Sequence, residues 1–200
     1  MLRPIVINRP TLKTNLILPI MLLLLCPLAL AQNIRGLDHI GMTVPDIDQA
    51  SAFLEKAFGA KVLYDVLPKG GTPFEGAETE QQLGIPKGTK IVHMRLVQIG
   101  EGPTIEMFQF QNVKQAKSAA LNDFGYQHLA LYTDDIDTAA KQFKNAGGTL
   151  LSAPHPLAGV EEGANNKGVY GKTPWGSLVE LITYPDGLKD KTLHRYTPDK

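Results

Sequence analysis

The sequence has a single cysteine among its 200 residues, and this scarcity excludes several kinds of protein. One cysteine cannot close a disulfide within the chain, so disulfide-stapled folds are excluded. Cys26 also lies in an N-terminal segment that we expect to be removed, which leaves no thiol chemistry to the mature protein. The fold must therefore depend on a hydrophobic core, for which this length is sufficient.

The sequence also lacks an excess of charge of either sign. It carries 20 basic and 20 acidic side chains with 43% hydrophobic residues, an ordinary globular composition. Removal of the N-terminal segment takes away Arg3, Arg9 and Lys13, which leaves 17 basic and 20 acidic side chains. A mildly acidic chain without a basic stripe is not expected to bind nucleic acid.

Long apolar runs are also scarce, since only residues 16–30 form one. Basic residues precede this run and the A-x-A sequence Ala29-Leu30-Ala31 follows, a pattern typical of a secretory signal peptide. An uncleaved membrane anchor is the alternative, but the run contains Pro19 and Pro27 and is shorter than the ~20 residues of a membrane-spanning helix. We predict a signal peptide at 1–31, a secreted or periplasmic mature protein, and no membrane association after cleavage.

What the sequence does contain is two matching pairs of histidine and glutamate inside apolar runs. His39 and His128 each lie near the start of an alternating apolar run, and Glu106 and Glu180 each lie midway along another. A carboxylate in a hydrophobic strand is costly to bury unless it is paired or binds a metal ion. The two pairs therefore require an explanation.

The pairs belong to an internal repeat. One shift of 89 residues aligns both histidines, both helix caps and both helix-ending glycines, namely His39 with His128, Asp46 with Asp135, and Gly59 with Gly148. Each half then ends in a glutamate-bearing strand. The alignment without gaps indicates an internal duplication.

Each half reads as a βαβββ module, and together they predict an α+β fold in which the two modules share one sheet or barrel. A long Gly- and Pro-rich connection, 67–88, is expected to carry a short helix near Glu78–Leu83, and with Phe74 it could cover the site. The predicted boundaries are a first module at 36–110, a linker at 111–124, a second module at 125–184, and a polar C-terminal tail at 185–200.

Strand alternation places each histidine on a face with small side chains two residues on, Gly41 and Ala130. Two imidazoles and two carboxylates form a nitrogen and oxygen donor set suited to one divalent Zn, Ni, Co, Mn or Fe ion, with open positions for water or substrate. The alternative is that the histidines are hydrogen-bonded core residues and the glutamates lie on solvated faces.

Four segments resemble the vicinal oxygen chelate superfamily, which includes glyoxalase I, methylmalonyl-CoA epimerase, extradiol dioxygenases, fosfomycin-resistance enzymes and bleomycin-binding proteins. The segments are 37–46, 102–108, 126–131 and 174–181, within a resemblance that covers about 36–184. The resemblance implies a U-shaped, eight-stranded open barrel around a metal, built within one chain or across a homodimer. By position, the implied metal ligands are His39, Glu106, His128 and Glu180.

The ligand set resembles glyoxalase I most closely, which implies an isomerase or lyase that stabilises an enediolate of a small substrate with vicinal oxygens. Glu180, rather than Glu106, is expected to move the proton. The segment Asp38–Gly41 also looks epimerase-like, although the epimerase branch typically has glutamine at position 106. Dioxygenases and fosfomycin enzymes use one carboxylate fewer, and predicted export argues against a glutathione adduct as substrate.

A non-catalytic protein that binds or sequesters a small molecule is the second class of function. Bleomycin-binding members generally lack the metal set, which argues against this class. In either case the predicted substrate contacts are Phe108, Tyr132, Lys172 and Trp175, with Trp175 equally suited to packing at a turn. His93 is expected to be a structural or solvent-facing residue.

Overall fold

The structure, a computed structural model, describes residues 36–193, so the predicted signal peptide and the last seven residues lie outside the described part. Its strands are β1 His39–Thr43, β2 Lys61–Leu67, β3 Lys90–Gln98, β4 Thr104–Gln111, β5 His128–Tyr132, β6 Thr149–Leu150, β7 His155–Pro156, β8 Lys167–Lys172 and β9 Leu178–Thr183. Its helices are α1 Ile47–Phe58, α2 Ala77–Leu83 and α3 Ile136–Asn145. None of these helices is long and apolar enough to cross a membrane.

The strands form two sheets, one from each half of the chain. The first has the order β1-β4-β3-β2, and the second has the order β5-β9-β8-β6 with β7 paired to β8. In each sheet the first and last strands of the module are parallel neighbours, whereas the other pairs are antiparallel. The predicted α+β fold of two βαβββ modules is confirmed. The second sheet gains a fifth strand from β7, and residues 36–193 form no closed barrel.

The helix starts and ends follow from the sequence, which predicts that the second helix stops at Gly147-Gly148. The Asp46 carboxylate accepts a hydrogen bond from the backbone N–H of Gln49 at 2.9 Å, and Asp135 caps α3 in the same way. The helix α1 ends at Gly59 in the left-handed conformation, as predicted. After α3 the residue with positive φ is Gly147, the first of the two predicted glycines, although the repeat aligns Gly59 with Gly148. Gly148 instead packs against the ring of Phe143, where a side chain would not fit.

One hydrophobic core lies between the helices and one face of each sheet. Its centre is aromatic: Phe53 meets Phe143 and Trp175 edge-on at ring distances of 5.6 and 5.4 Å, and Phe58 stacks on Phe143. Burying each such ring contributes roughly 1.5–3 kcal/mol. Because the helices occupy these faces, the opposite faces, here called the inner faces, remain for a site.

A charged network ties α1 to the edge of the first sheet. The Arg95 guanidinium donates to both carboxylate oxygens of Asp65, at 2.6 and 3.2 Å, and to Asp48 and Ser51 on α1, each at 3.1 Å. Arg95 is the main cause that holds the pKa of Asp65 below its usual value. The network therefore fixes the helix on the strands by directional, charge-assisted contacts.

The long connection between β2 and β3 pairs with the edge of β3. Phe74 exchanges two backbone hydrogen bonds with Ile91, at 3.1 and 3.0 Å. A second, smaller hydrophobic cluster lies on the inner face, made by Leu67, Ile91, Met94, Phe108 and Phe110. The first module therefore fills this part of its inner face with its own side chains.

Candidate metal centre

The first candidate pair lies on adjacent parallel strands. The register pairs Gly41 of β1 with Glu106 of β4, and His39 precedes Gly41 by two residues on the same inner face. The Nε2 atom of His39 is 3.4 Å from Oε2 of Glu106. The histidine side chain is 42% exposed and the glutamate only 18%, so the carboxylate is the deeper member of the pair.

Asp38 fixes the orientation of the first histidine. Its carboxylate accepts a hydrogen bond from Nδ1 of His39 at 2.8 Å, which leaves the Nε2 lone pair toward Glu106. This hydrogen bond is the largest cause that raises the pKa of His39; burial opposes it, and the charge of Glu106 adds to it. A carboxylate behind the outer nitrogen is the usual support of a metal-binding histidine.

The second pair repeats the first. Ala130 of β5 is paired with Glu180 of β9, and His128 precedes Ala130 by two residues. The distance from Nε2 of His128 to Oε2 of Glu180 is again 3.4 Å, with the side chains 26% and 13% exposed. In place of a carboxylate partner, His128 meets the ring of Tyr170 edge-on at 5.3 Å.

The spacing within each pair fits a shared divalent metal ion. Two ligands about 2.1 Å from a metal in tetrahedral geometry lie about 3.4 Å from each other. In the first pair, a neutral His39 also directs a lone pair at a carboxylate, an arrangement that a cation or a proton between the two atoms would relieve. Gly41 and Ala130 leave room beside each glutamate. The donor chemistry and the local spacing therefore support the predicted ligands.

The two pairs do not converge on one point in this conformation. Within residues 36–193, no three His, Cys, Asp or Glu side chains lie close enough together to hold one metal ion. Cavities of about 200 and 260 Å³ lie along the seam between β1 and β5, and both are lined by Ile40 and His128. The structure brings together each predicted pair but not the predicted set of four.

Residues 38–170 match the model of the glyoxalase/bleomycin resistance protein/dioxygenase superfamily. The chain belongs to this superfamily.

One protein sequence and two solved structures are also similar to this chain. The chain is 30% identical over 156 residues to a 2-epi-5-epi-valiolone epimerase from Actinomyces sp., which covers 74% of this chain and 79% of that protein. The match to a glyoxalase family protein from Bacillus cereus covers 76% of this chain and 96% of that protein, with a TM-score of 0.60 and 17% identity. The match to a glyoxalase I variant from Zea mays covers 74% of this chain but 47% of that protein, with a TM-score of 0.51 and 20% identity. The two structures show a shared fold.

The four predicted substrate contacts of this superfamily member occupy different environments. Phe108 shares the inner face with Glu106, but it stacks on Phe110 in the smaller cluster. Tyr132 lies on the inner face of β5, where burial, with its hydrogen bond to Asp134, raises its pKa. Lys172 lines an inner-face cavity of about 340 Å³.

Trp175 lies on the other side of the sheet. Its ring packs on Phe53 in the main core, away from both histidine–glutamate pairs. The structure therefore shows Trp175 in the packing role that was the alternative to a substrate contact.

His93 is a structural residue. Its side chain is 1% exposed, and Nε2 lies 3.5 Å from Oδ2 of Asp65. The register pairs it with Gln109, on the helix side of the sheet near the Arg95 network. Of the two roles expected for His93, structural and solvent-facing, the structure shows the structural one.

Two functional features were not predicted. The support that Asp38 gives to His39 was not anticipated, although a carboxylate directly before a strand histidine is a visible signal. The linker residues Ser118–Leu121 line the cavity that also holds Lys172, and the sequence carries no periodic signal for that contact.

Proposed function

We propose that the protein is a metal-dependent isomerase that moves a proton at a carbon next to a carbonyl group of a small substrate. The observation that carries the proposal is the equal 3.4 Å spacing of histidine and glutamate in both modules, at equivalent positions of the repeat. Residues placed by chance would not be expected to share the same distance, strand register and sheet face in both modules. Superfamily membership supports the same reading.

The chain's own residues have separate roles in this proposal. A divalent ion held by the four donors would supply Lewis acidity to two adjacent substrate oxygens. Glu180 is assigned as the proton acceptor, because it is the least exposed of the four and stands on the module whose inner face keeps an open cavity. Tyr170 holds the ring of His128, and Asp38 holds that of His39.

Epimerisation is the form of isomerisation that we favour. The epimerase relative shares 30% identity over most of the chain, whereas the glyoxalase I neighbour, at 20% identity, supports only the fold. A glyoxalase I-type isomerase or lyase remains the alternative within the same chemistry. Exchange of the substrate hydrogen with deuterium from solvent would mark either reaction, and inversion of one stereocentre would distinguish the epimerase.

A binding or sequestering protein is the second candidate function. The observation in its favour is that the two pairs do not converge within residues 36–193. Convergence across a homodimer, with each cup drawing one pair from each subunit, would account for the same observation. Light scattering with and without added metal tests this arrangement, since assembly across subunits predicts a metal-dependent dimer.

The metal content of residues 32–200 is the decisive measurement. We expect close to one transition metal ion per chain, and Glu106→Gln or Glu180→Gln should weaken binding by more than about 100-fold, because even supporting residues cost 10- to 100-fold. The control is Glu101→Gln, an exposed hairpin glutamate whose loss should change nothing. If no metal bound even after reconstitution, the isomerase proposal would fail and a binding protein would be the better account.

The role of Glu180 and the predicted export need their own measurements. Glu180→Gln should abolish deuterium exchange; if the variant kept full turnover, Glu180 would not be the base. For export, the mass of the protein recovered outside the cytoplasm should correspond to a chain that begins at Gln32. An intact N-terminus on that protein would contradict cleavage.

A further inference from the structure

The inner face of the second module has an open cavity beside its histidine–glutamate pair. The cavity has a volume of about 340 Å³, which is within the range of small-molecule sites. Its floor is formed by side chains of β8 and β9, and its roof by the linker between the modules. The lining residues are Ser118, Ala119, Ala120, Leu121, Leu151, Ser152, Tyr170, Lys172, Gly176 and Leu178.

The linker roof is held in place by hydrogen bonds. The Ser118 hydroxyl donates to the backbone carbonyl of Trp175 at 3.4 Å and lies 3.4 Å from the hydroxyl of Ser177. At Gly176 the backbone has a positive φ of 95°, and an added Cβ would come within 3.7 Å of the Ser118 hydroxyl. The roof therefore lies directly on the turn that precedes β9.

The cavity walls are mostly apolar, and one cation stands among them. Leu121, Leu151 and Leu178 provide hydrocarbon surface, whereas Lys172 forms no ion pair with any residue in 36–193. A lone ammonium beside an apolar cavity is complementary to a molecule with one negative charge and an apolar body. A ligand with several hydroxyl groups would lose hydrogen bonds to water there.

The strand register relates this cavity to the candidate metal pair. Lys172 lies opposite Leu178 and Tyr170 lies opposite Glu180, on the same inner face. Two residues along a strand correspond to about 7 Å. A molecule anchored at Lys172 can therefore extend past the ring of Tyr170 and present its other end to His128 and Glu180.

We propose that the substrate is a small carboxylate, with an apolar body in the cavity, its carboxylate at Lys172, and its reacting carbonyl end at the His128–Glu180 pair. This inference rests on the proposed function for the reacting end, but the anion site itself needs no metal. A single ammonium, with no second cationic side chain in the lining, fits a carboxylate better than a phosphate, which is usually held by several N–H groups.

The test uses 4-phenylbutyrate and its neutral counterpart 4-phenylbutanamide as probes of chelator-treated residues 32–200. Titration followed by NMR should show that the acid binds about 10-fold or more tightly than the amide, with shifts at the methyl groups of Leu151 and Leu178. Lys172→Met should remove this preference and Lys172→Arg should keep it. Lys141→Met, on the exposed surface of α3, is the matched control and should change nothing.

A second variant keeps the inference falsifiable. Ala120→Phe adds a ring to an exposed linker position that lines the cavity, so it should weaken acid and amide alike without affecting folding. Equal binding of acid and amide, no effect of Lys172→Met, or no effect of Ala120→Phe would overturn the carboxylate site. Because the measurement excludes metal, failure here is distinct from failure of the metal-dependent isomerase, which metal analysis reports.

Discussion

The two modules repeat the same strand order and the same histidine–glutamate spacing, yet they treat their inner faces differently. In the first module, the cluster around Met94 and Phe108 fills the inner face next to Glu106. In the second, the connection between β6 and β8 contains β7, and a cavity lined by Tyr170, Lys172 and Leu178 remains open on the inner face. Duplication has kept the candidate metal ligands in both halves and left space for a ligand in one.

The modules also differ in how their helices are held. Helix α1 is tied to the first sheet through the charged contacts of Arg95, whereas α3 packs through the ring of Phe143 against glycine positions of the second sheet. Both helices pack in the main core, but α1 adds directional, charged contacts, whereas α3 adds a close fit against glycines. This difference predicts that the same kind of substitution will have unequal effects in the two halves.

Gly171→Ala should have the largest effect on stability. An added Cβ would lie 2.6 Å from Cε1 of Phe143 and 3.1 Å from the backbone oxygen of Thr149, so the ring or the strand must move. We expect unfolding in denaturant to show a loss of about 2–3 kcal/mol.

A matched substitution in the first module is the control for that variant. At Gly41 an added Cβ would meet only Cε2 of Phe108, at 3.7 Å, and the repeat already has alanine at the equivalent position 130. Gly41→Ala should change stability by no more than about 0.5 kcal/mol. Equal losses in both variants would show that the close fit of Phe143 against Gly171 is not what makes Gly171→Ala costly.

Much of this architecture could be predicted because it depends on local signals. The caps Asp46 and Asp135, the alternating strands and the repeat of His39 in His128 are all visible within short windows of sequence. These signals also place each glutamate next to its histidine, because the first and last strands of a module are neighbours in the superfamily that the motifs resemble.

The remaining features depend on contacts between distant segments, which local signals do not report. Trp175 borders a strand that carries a metal-ligand candidate, yet Phe53 from the other module holds it in the core. The roof at Ser118 follows from where the linker crosses the second sheet, and a polar linker has no periodicity to reveal its path. Whether the two histidine–glutamate pairs converge likewise depends on how the two sheets meet, which neither sequence pattern reports.

Asp65→Asn should have an intermediate effect, confined to the first module. It removes the charge-assisted bonds from Arg95, which are worth about 2 kcal/mol, and chemical denaturation at pH 7 should show a loss of that size. Because the folded pKa of Asp65 is lowered, its contribution is present above the ordinary aspartate pKa and is lost as the pH falls through the folded value. The difference between variant and wild type should therefore shrink in acid.

The exposed pair Glu162 and Lys189 of the second half, 2.7 Å apart, provides the comparison for Asp65. Glu162→Gln should leave the free energy of unfolding unchanged, because solvent screens an exposed ion pair. A loss as large as that of Asp65→Asn would contradict the view that solvent screens the exposed pair. A difference between Asp65→Asn and wild type that did not depend on pH would argue that shape, rather than charge, matters at Arg95.

Asp38→Asn should have the smallest effect, and it addresses the one asymmetry between the two candidate pairs. The repeat places Gln127 where the first module has Asp38, so only His39 has a carboxylate behind its ring. In metal-free protein, an NMR titration of the imidazole should show a raised pKa for His39 that moves back toward the ordinary value in the variant. A raised folded pKa stabilises the fold below the ordinary histidine pKa, and this contribution is lost as the pH rises through the folded value.

Gln127→Asn, which exchanges one neutral amide for another, should not move the His39 titration. A pKa of His39 that stayed raised in Asp38→Asn would assign the shift to Glu106 instead.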